Sequence, residues 1–392
     1  MNLVERHIIK RNNIHYKELR NLLHLSKNLY NATLYEIRQY YFQNKKYLSY
    51  IDINRKFASE NNIDYRALPA QVAQQTMKMV DKNFKSFFQS RKKGLKARIP
   101  KYLDKQGYFE LIYTNQIFSY RNRIVKLGKS NIQFKVLHDN IRQIRFIPCN
   151  GYIIMEVIYS KQEKEYKPNN NMMGIDLGIN NLATCVSNVL KHPIIVNGKP
   201  VKSINQYYNK KLAEYSSNKA SKRIKNSLNL KRQNKLNDYF HKSTRYITNQ
   251  AVSNNITTIV IGYNKQWKQD VNLGHKNNQK FVFIPHARFI SMLRYKCKLE
   301  GIEVIEINEA YTSKASYLDN DFIPNLEDKI EFNFSGKRKQ RGLYVTKDGT
   351  KINADVNGAC NILRKFVNKN EVWNAVKLPD RGSVLEPLVF NF

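Results

Sequence analysis

The stretch GIDLGINNLAT, residues 174–184, sets a single carboxylate, Asp176, inside an otherwise apolar run. Its pattern reads as a strand, a turn at Asn180-Asn181 and a second strand, Leu182–Val186. A carboxylate on a central strand is costly to desolvate unless it is paired or bound to a metal ion. The plainer alternative is an Asp that caps the turn through backbone N–H groups. Which of the two holds depends on what the rest of the chain brings to the same place.

Upstream, YSKQEKEYKPNNN (159–171) is polar and Asn-rich, and the main domain boundary falls there. Downstream, a third strand around Ile194–Val196 precedes a long basic helical region. Strand ITTIVIGY (256–263), helix ARFISMLRYKCKLEG (287–301), strand IEVIEIN (302–308) and helix NADVNGACNILRKFV (353–367) follow. Three strands and then alternating helices and strands are the order of an RNase H-like α/β domain. Residues 318–351 are irregular and charged, which suits a surface insertion.

The first part of the chain has a different character. Leu19, Leu23, Tyr30, Leu34 and Ile37 recur at helical spacing, as do Val72, Thr76, Met79, Val80, Phe84 and Phe87 behind Pro69. From Tyr108 to Tyr159 the period drops to two in IQFKV, IRQIRFI and YIIMEVIY, which predicts a small antiparallel barrel or sheet. The expected fold class is therefore α/β plus α+β.

Composition narrows the function. The 392 residues carry 67 Lys+Arg against 31 Asp+Glu, a net charge of +36. Such an excess repels itself unless a polyanion neutralises it, and nucleic acid is the leading candidate. The segment 209–245 alone holds 11 Lys and Arg, among them Lys222, Arg223, Lys225, Lys231, Arg232 and Lys235, against Glu214 and Asp238. RKKGLKAR (91–98), with Arg91, Lys92, Lys93, Lys96 and Arg98, is a second candidate phosphate-binding stretch, and Tyr102 and Tyr108 behind it could stack on unpaired bases. No apolar run approaches a membrane span and MNLVERHIIKRNN lacks a signal peptide's apolar region, so a cytoplasmic, nucleoid-associated protein without a membrane partner is expected. Cys149, Cys185, Cys297 and Cys360 lie far apart and form no C-x-x-C, consistent with reduced packing residues.

A second carboxylate, Asp355, opens the helix of INADVNGACNILRK (352–365), where alone it would read as a cap or dipole partner. Taken together, GIDLGINNLAT, EAYTSKAS (309–316) and NADVNGA (353–359) resemble the RuvC-like nuclease domain of TnpB proteins, transposon-encoded RNA-guided nucleases related to type V CRISPR effectors and to the eukaryotic Fanzor proteins. The resemblance implies a first barrel strand (1–14), a helical recognition lobe (15–105) and a wedge-like β-barrel (106–165). It further implies a nuclease domain in two parts (166–317 and 352–392) split by the insertion 318–351. The implied partners are a guide RNA and double-stranded, locally unwound target DNA. The implied reaction is phosphodiester hydrolysis with two Mg²⁺ ions held by three acidic residues.

Two departures from the family pattern bear on that reading. The middle acid usually ends the strand that here reads IVIGY, where this chain has Gly262. The next strand ends near Glu309, and neighbouring strands lie about 4.8 Å apart, so a relocated Glu309 can serve, with Glu306 as runner-up. The expected catalytic and metal-binding set is thus Asp176, Glu309 and Asp355. Many relatives also carry a zinc ribbon with two cysteine pairs. The corresponding positions here are Ser316, Asp319, Val345 and Asp348, so no zinc is expected and the insertion is expected to be held by packing alone. Two other classes of function stay open: an RNA-guided DNA-binding repressor that has lost cleavage, and an RNA-independent transposase or resolvase on the same fold.

Overall fold

In the computed structural model, which describes residues 1–263, 284–325, 328, 332–340, 342–369 and 376–392, the chain divides into two units, Met1–Lys161 and Gln162–Phe392. In the first, β1 (Asn2–Lys10) leads into helices α1 (Tyr16–Asn44), α2 (Tyr50–Ser59), α3 (Ile63–Arg66) and α4 (Ala70–Lys92). Then come β2 (Leu111–Thr114), β3 (Phe118–Arg121), β4 (Ile124–Leu127), β5 (Gln133–Lys135), β6 (Ile141–Cys149) and β7 (Tyr152–Ser160). The helical spacing read from the sequence becomes the buried face of α1 (Leu19, Leu23, Tyr30, Leu34, Ile37) against that of α4 (Val72, Ala73, Met77, Val80, Phe84). A buried hydrogen bond between Ser26 and Thr76, 2.9 Å, links the two helices. The strands pair as two open antiparallel sheets, β1-β7-β6-β2 and β3-β4-β5, rather than as one continuous ribbon.

The second unit begins with β8 (Met172–Asp176), β9 (Asn181–Ser187) and β10 (Ile194–Asn197), followed by α5 (Lys199–Ser217), α6 (Lys222–Ser253), β11 (Thr258–Gly262), α7 (His286–Leu299) and β12 (Glu303–Ile307). Strands β13 (Lys337–Gln340), β14 (Leu343–Val345) and β15 (Lys351–Asn353) precede α8 (Ala354–Lys369) and β16 (Leu388–Phe390). The main sheet has the order β12-β11-β8-β9-β10-β16. β11 runs parallel to both β8 and β12, while β8, β9 and β10 form an antiparallel meander. The result is a mixed α/β sheet.

Strand parity divides this sheet between two layers. Met173, Ile175, Ile259 and Ile261 face a core with Leu236 and Phe240 of α6 and Phe289 and Leu293 of α7. Met172 and Val260 face the other way, onto Ile362, Leu363 and Phe366 of α8. α8 crosses β8 so closely that a Cβ on Gly174 would lie 2.6 Å from the Ala359 carbonyl oxygen, so only glycine fits there.

Several expectations change in detail. The first strand stops at Asp176, short of Asn180. The basic helical region is two helices, broken at 218–221 where Lys219 takes φ +48°. The irregular insertion contains the three-stranded sheet β13-β14-β15, and the C-terminal tail adds β16 to the main sheet beside β10. Among the described residues no helix is long and apolar enough to cross a membrane.

Candidate active site

Asp176 is the last residue of β8, and its parity with Met172 and Gly174 turns it toward α8. There the helix must make room, since a Cβ on Gly358 would stand 2.8 Å from Asp176 Oδ2. Asp355 occupies the first turn of α8. Asn353 caps that helix, its Oδ1 accepting from the Asp355 N–H at 2.9 Å and the Val356 N–H at 3.3 Å. The Asp355 carboxylate accepts from Asn181 Nδ2 at 2.7 Å and from the Arg338 guanidinium at 3.4 Å.

Glu309 lies two residues beyond β12. β11 and β12 pair in parallel with Gly262 opposite Ile307, and a Cβ on Gly262 would stand 3.1 Å from the Glu309 Cβ. Side chains at 262 and 309 therefore address one spot, and both cannot be large. Asp176, Glu309 and Asp355 border a single cavity of about 600 Å³, together with Asn181, Tyr311 and Arg338.

The acids around that cavity oppose the charge of Asp176. Asp176 is half-buried and borders the cavity. Burial first, then the charges of Asp355 and Glu309, push it well above the usual carboxylate range, against the pull of Arg338 and the Leu177 N–H. Burial pushes Glu309 up to about 7. Asp176, Glu309 and Asp355 together are an all-oxygen donor set suited to a hard divalent cation. Among the described residues no three acidic, histidine or cysteine groups already stand at ligating spacing. The three carboxylates would have to rotate inward to share an ion.

Glu306, the runner-up for the middle acid, is directed elsewhere. It sits on the opposite parity to Ile305 and Ile307, which pack toward α8, and its carboxylate pairs with Arg294 of α7 at 2.6 Å. The sequence reading missed Arg338 and Asn181. Arg338 lies in the stretch read as a surface insertion, and only the pairing of β13 with β14 and of β14 with β15 carries it back to α8. Asn181, which the sequence reading placed in a turn, is the first residue of β9, and its side-chain bond to Asp355 left no sequence pattern.

The basic stretches are mostly free to meet an anion. Arg91, Lys92, Lys93, Lys96 and Arg98 are exposed, at and beyond the end of α4, and Lys222, Arg223, Lys231 and Lys235 are exposed on α6. Lys225 is half-buried. Arg232 is a correction: its Nε donates to Asn205 Oδ1 at 2.7 Å and its guanidinium lies 4.8 Å from the Tyr208 ring centre, so it ties α6 to α5. Tyr108 is likewise engaged, with Arg20 over its ring at 4.8 Å and bonded to its hydroxyl at 2.7 Å.

Around Ser316, Asp319, Val345 and Asp348 the expectation of packing alone is also corrected, because hydrogen bonds join the segments. Asp319 Oδ2 accepts from Ser316 Oγ at 2.6 Å and from the Lys347 N–H at 3.0 Å, bridging the two loops. Asp348 is held by Thr346 and Arg381, which keep its carboxyl well below the usual range. Tyr344 is wholly buried between them, with its hydroxyl on the Lys314 carbonyl at 2.8 Å.

Residues 155–268 match the OrfB_IS605 family model, described as a probable transposase, and residues 286–362 match the Cas12f1-like TNB domain. The chain is 25% identical over 232 residues to the CRISPR-associated endodeoxyribonuclease Cas12f2 of Micrarchaeota archaeon (strain CG1_02_47_40). That match covers 56% of this chain and only 41% of the relative. Among solved structures, the chain resembles one in a Cas12f1-sgRNA-target DNA complex, at TM-score 0.37 and 16% identity, over 92% of this chain and 98% of that one. It also resembles one in a CRISPR-Cas12f ternary complex, at TM-score 0.38 and 16% identity, over 93% and 83%.

Proposed function

We propose that this chain, which belongs to the TnpB and type V effector family, is an RNA-guided endonuclease that hydrolyses phosphodiester bonds of guide-matched DNA in an RNase H-like, RuvC-type domain. The observation that carries this reading is the meeting of Asp176, Glu309 and Asp355 on one cavity, with Glu309 filling the space left by Gly262.

In this reading Asp176 reaches into the cavity from the sheet and Asp355 from the helix terminus, and Glu309 closes the third side. Two divalent cations bound between them, Mg²⁺ by preference, would supply a metal-activated water and charge stabilisation at the leaving oxygen. Asn181 holds the Asp355 carboxylate in place. Arg338 lends positive charge beside it and is positioned to meet a phosphate oxygen. The exposed basic residues of α6 and of 91–98 would hold nucleic acid through its backbone while guide pairing reads sequence.

A second reading, an RNA-guided DNA-binding repressor, is favoured by one observation: Gly262 leaves the ordinary middle-acid position without a carboxylate. Cutting of a guide-matched plasmid by the RNA-loaded protein separates the two. If the chain is an endonuclease, cutting should require Mg²⁺, be lost in Asp176→Ala and Glu309→Ala, and persist in Glu306→Ala. Tight guide-dependent binding without cutting by the parent protein selects the repressor, and cutting that needs no RNA selects the transposase class.

A further inference from the structure

Two of the three carboxylates are held in different ways. Asp355 has side-chain donors in Asn181 and Arg338, whereas the donor at Asp176 is a backbone group, the Leu177 N–H. The sheet places one more hydroxyl beside Asp176. In the pairing of β8 with β9, Asp176 stands opposite Thr184, and Thr184 in turn stands opposite Ile195 of β10. Side chains directly opposite each other in an antiparallel pair share a face, with Cβ atoms about 4.5–5.5 Å apart. The three residues therefore form a row across the sheet, turned toward α8.

The rest of that face is apolar. Ile195 and Val186, which flank Thr184, pack with Val356, Ala359 and Cys360 of α8. Thr184 is wholly buried, and among the described residues its Oγ1 has no hydrogen-bond partner. A buried hydroxyl without a partner gives up the hydrogen bonds that water would make with it, so packing alone would be served better by Val, which has the same shape. What the hydroxyl has beside it is a carboxylate that must turn to share an ion. Gly358 leaves that carboxylate room, since a Cβ there would stand 2.8 Å from Asp176 Oδ2.

We propose that Thr184 is a positioning residue of the metal site: its hydroxyl donates to the Asp176 carboxylate once that group has turned to ligate, and holds it in the ligating orientation. One carboxylate oxygen takes the hydrogen bond and the other stays free for the cation. The bond belongs to the cation-bound arrangement, so the hydroxyl contributes to cation affinity and nothing to the folding of the cation-free chain. Ligating carboxylates are commonly hydrogen-bonded in this way, and loss of such a partner weakens metal binding roughly 10–100-fold. This inference deepens the endonuclease reading and rests on it.

The test is a calorimetric Mn²⁺ titration of the full chain, with melting temperatures taken in EDTA. Thr184→Val, which removes the hydroxyl and keeps the shape, raises the Mn²⁺ dissociation constant about tenfold and melts in EDTA at or above the parent's temperature. Thr184→Ser retains the parent's affinity. An unchanged Mn²⁺ affinity of Thr184→Val, or a lower melting temperature of that variant in EDTA, overturns the proposal. Asp176→Ala separates it from the reading beneath it. Mn²⁺ binding lost in Asp176→Ala but unchanged in Thr184→Val rejects the role of Thr184 alone. A parent that binds no Mn²⁺, or binds it no better than Asp176→Ala, rejects the carboxylate site and the role of Thr184 with it.

Discussion

Gly262 and Glu309 behave as one feature written at two places. A side chain at 262 would press on Ile362, with Cγ1 at 2.9 Å, and on the Glu309 Cβ at 3.1 Å. Gly262→Ala is therefore expected to destabilise the protein by about 1–3 kcal/mol through overpacking, read from chemical denaturation. Asp176 was legible in the sequence because a charge in an apolar run has few structural explanations. Glu309 was legible only through a family pattern with a gap in it, and Arg338 not at all, because its partner Asp355 is reached through two strand pairings. Away from the site, Lys296 is buried on α7 with its ammonium on the His241 carbonyl and Thr244 Oγ1, and burial followed by the charge of Arg245 lowers it to about 8. The unfolded chain thus binds this proton more tightly than the folded one between about pH 8 and 10.5. Stability contributed at this site rises with pH across that window. Lys296→Met should flatten the difference, measured as denaturation midpoints at pH 7.5 and 10 against the parent.

α8 is the element on which the site depends. Its apolar face lies on β8 and β11, while Asn357, Asn361, Arg364 and Lys365 reach from its buried polar side into the chain after Glu309. Asn361 Nδ2 donates to the Thr312 and Ala315 carbonyls at 2.9 and 2.7 Å. Asn361→Ala strands these acceptors and should cost about 1–3 kcal/mol, and it should raise the Mg²⁺ concentration needed for cutting because the Glu309 segment loses its anchor. In the insertion, Asp319 accepts from both Ser316 Oγ and the Lys347 N–H and so joins two loops, and Asp319→Ala should lower the melting temperature, while a zinc chelator should leave the parent's unchanged. Long elements were legible from period alone. α2 was not read, although Ser49 and Asp52 form a capping box at its start, and β13 to β15 are too short and charged to stand out from a loop.

At the scale of the molecule, each unit has its own apolar core, and the chain carries a net charge of +36. Nonspecific DNA affinity should accordingly fall steeply with added salt, and replacing Lys222, Arg223, Lys231 and Lys235 together should flatten the slope by about four counterions. Arg232→Ala should instead lower stability and leave the slope nearly unchanged. The central claim is that acids from a strand end, a loop and a helix start hold divalent cations jointly. Mn²⁺ binding to the RNA-loaded protein, followed by electron paramagnetic resonance, tests this most directly. Two bound ions are expected in the parent, with loss of binding in each of Asp176→Ala, Glu309→Ala and Asp355→Ala; binding unchanged in all three would contradict it.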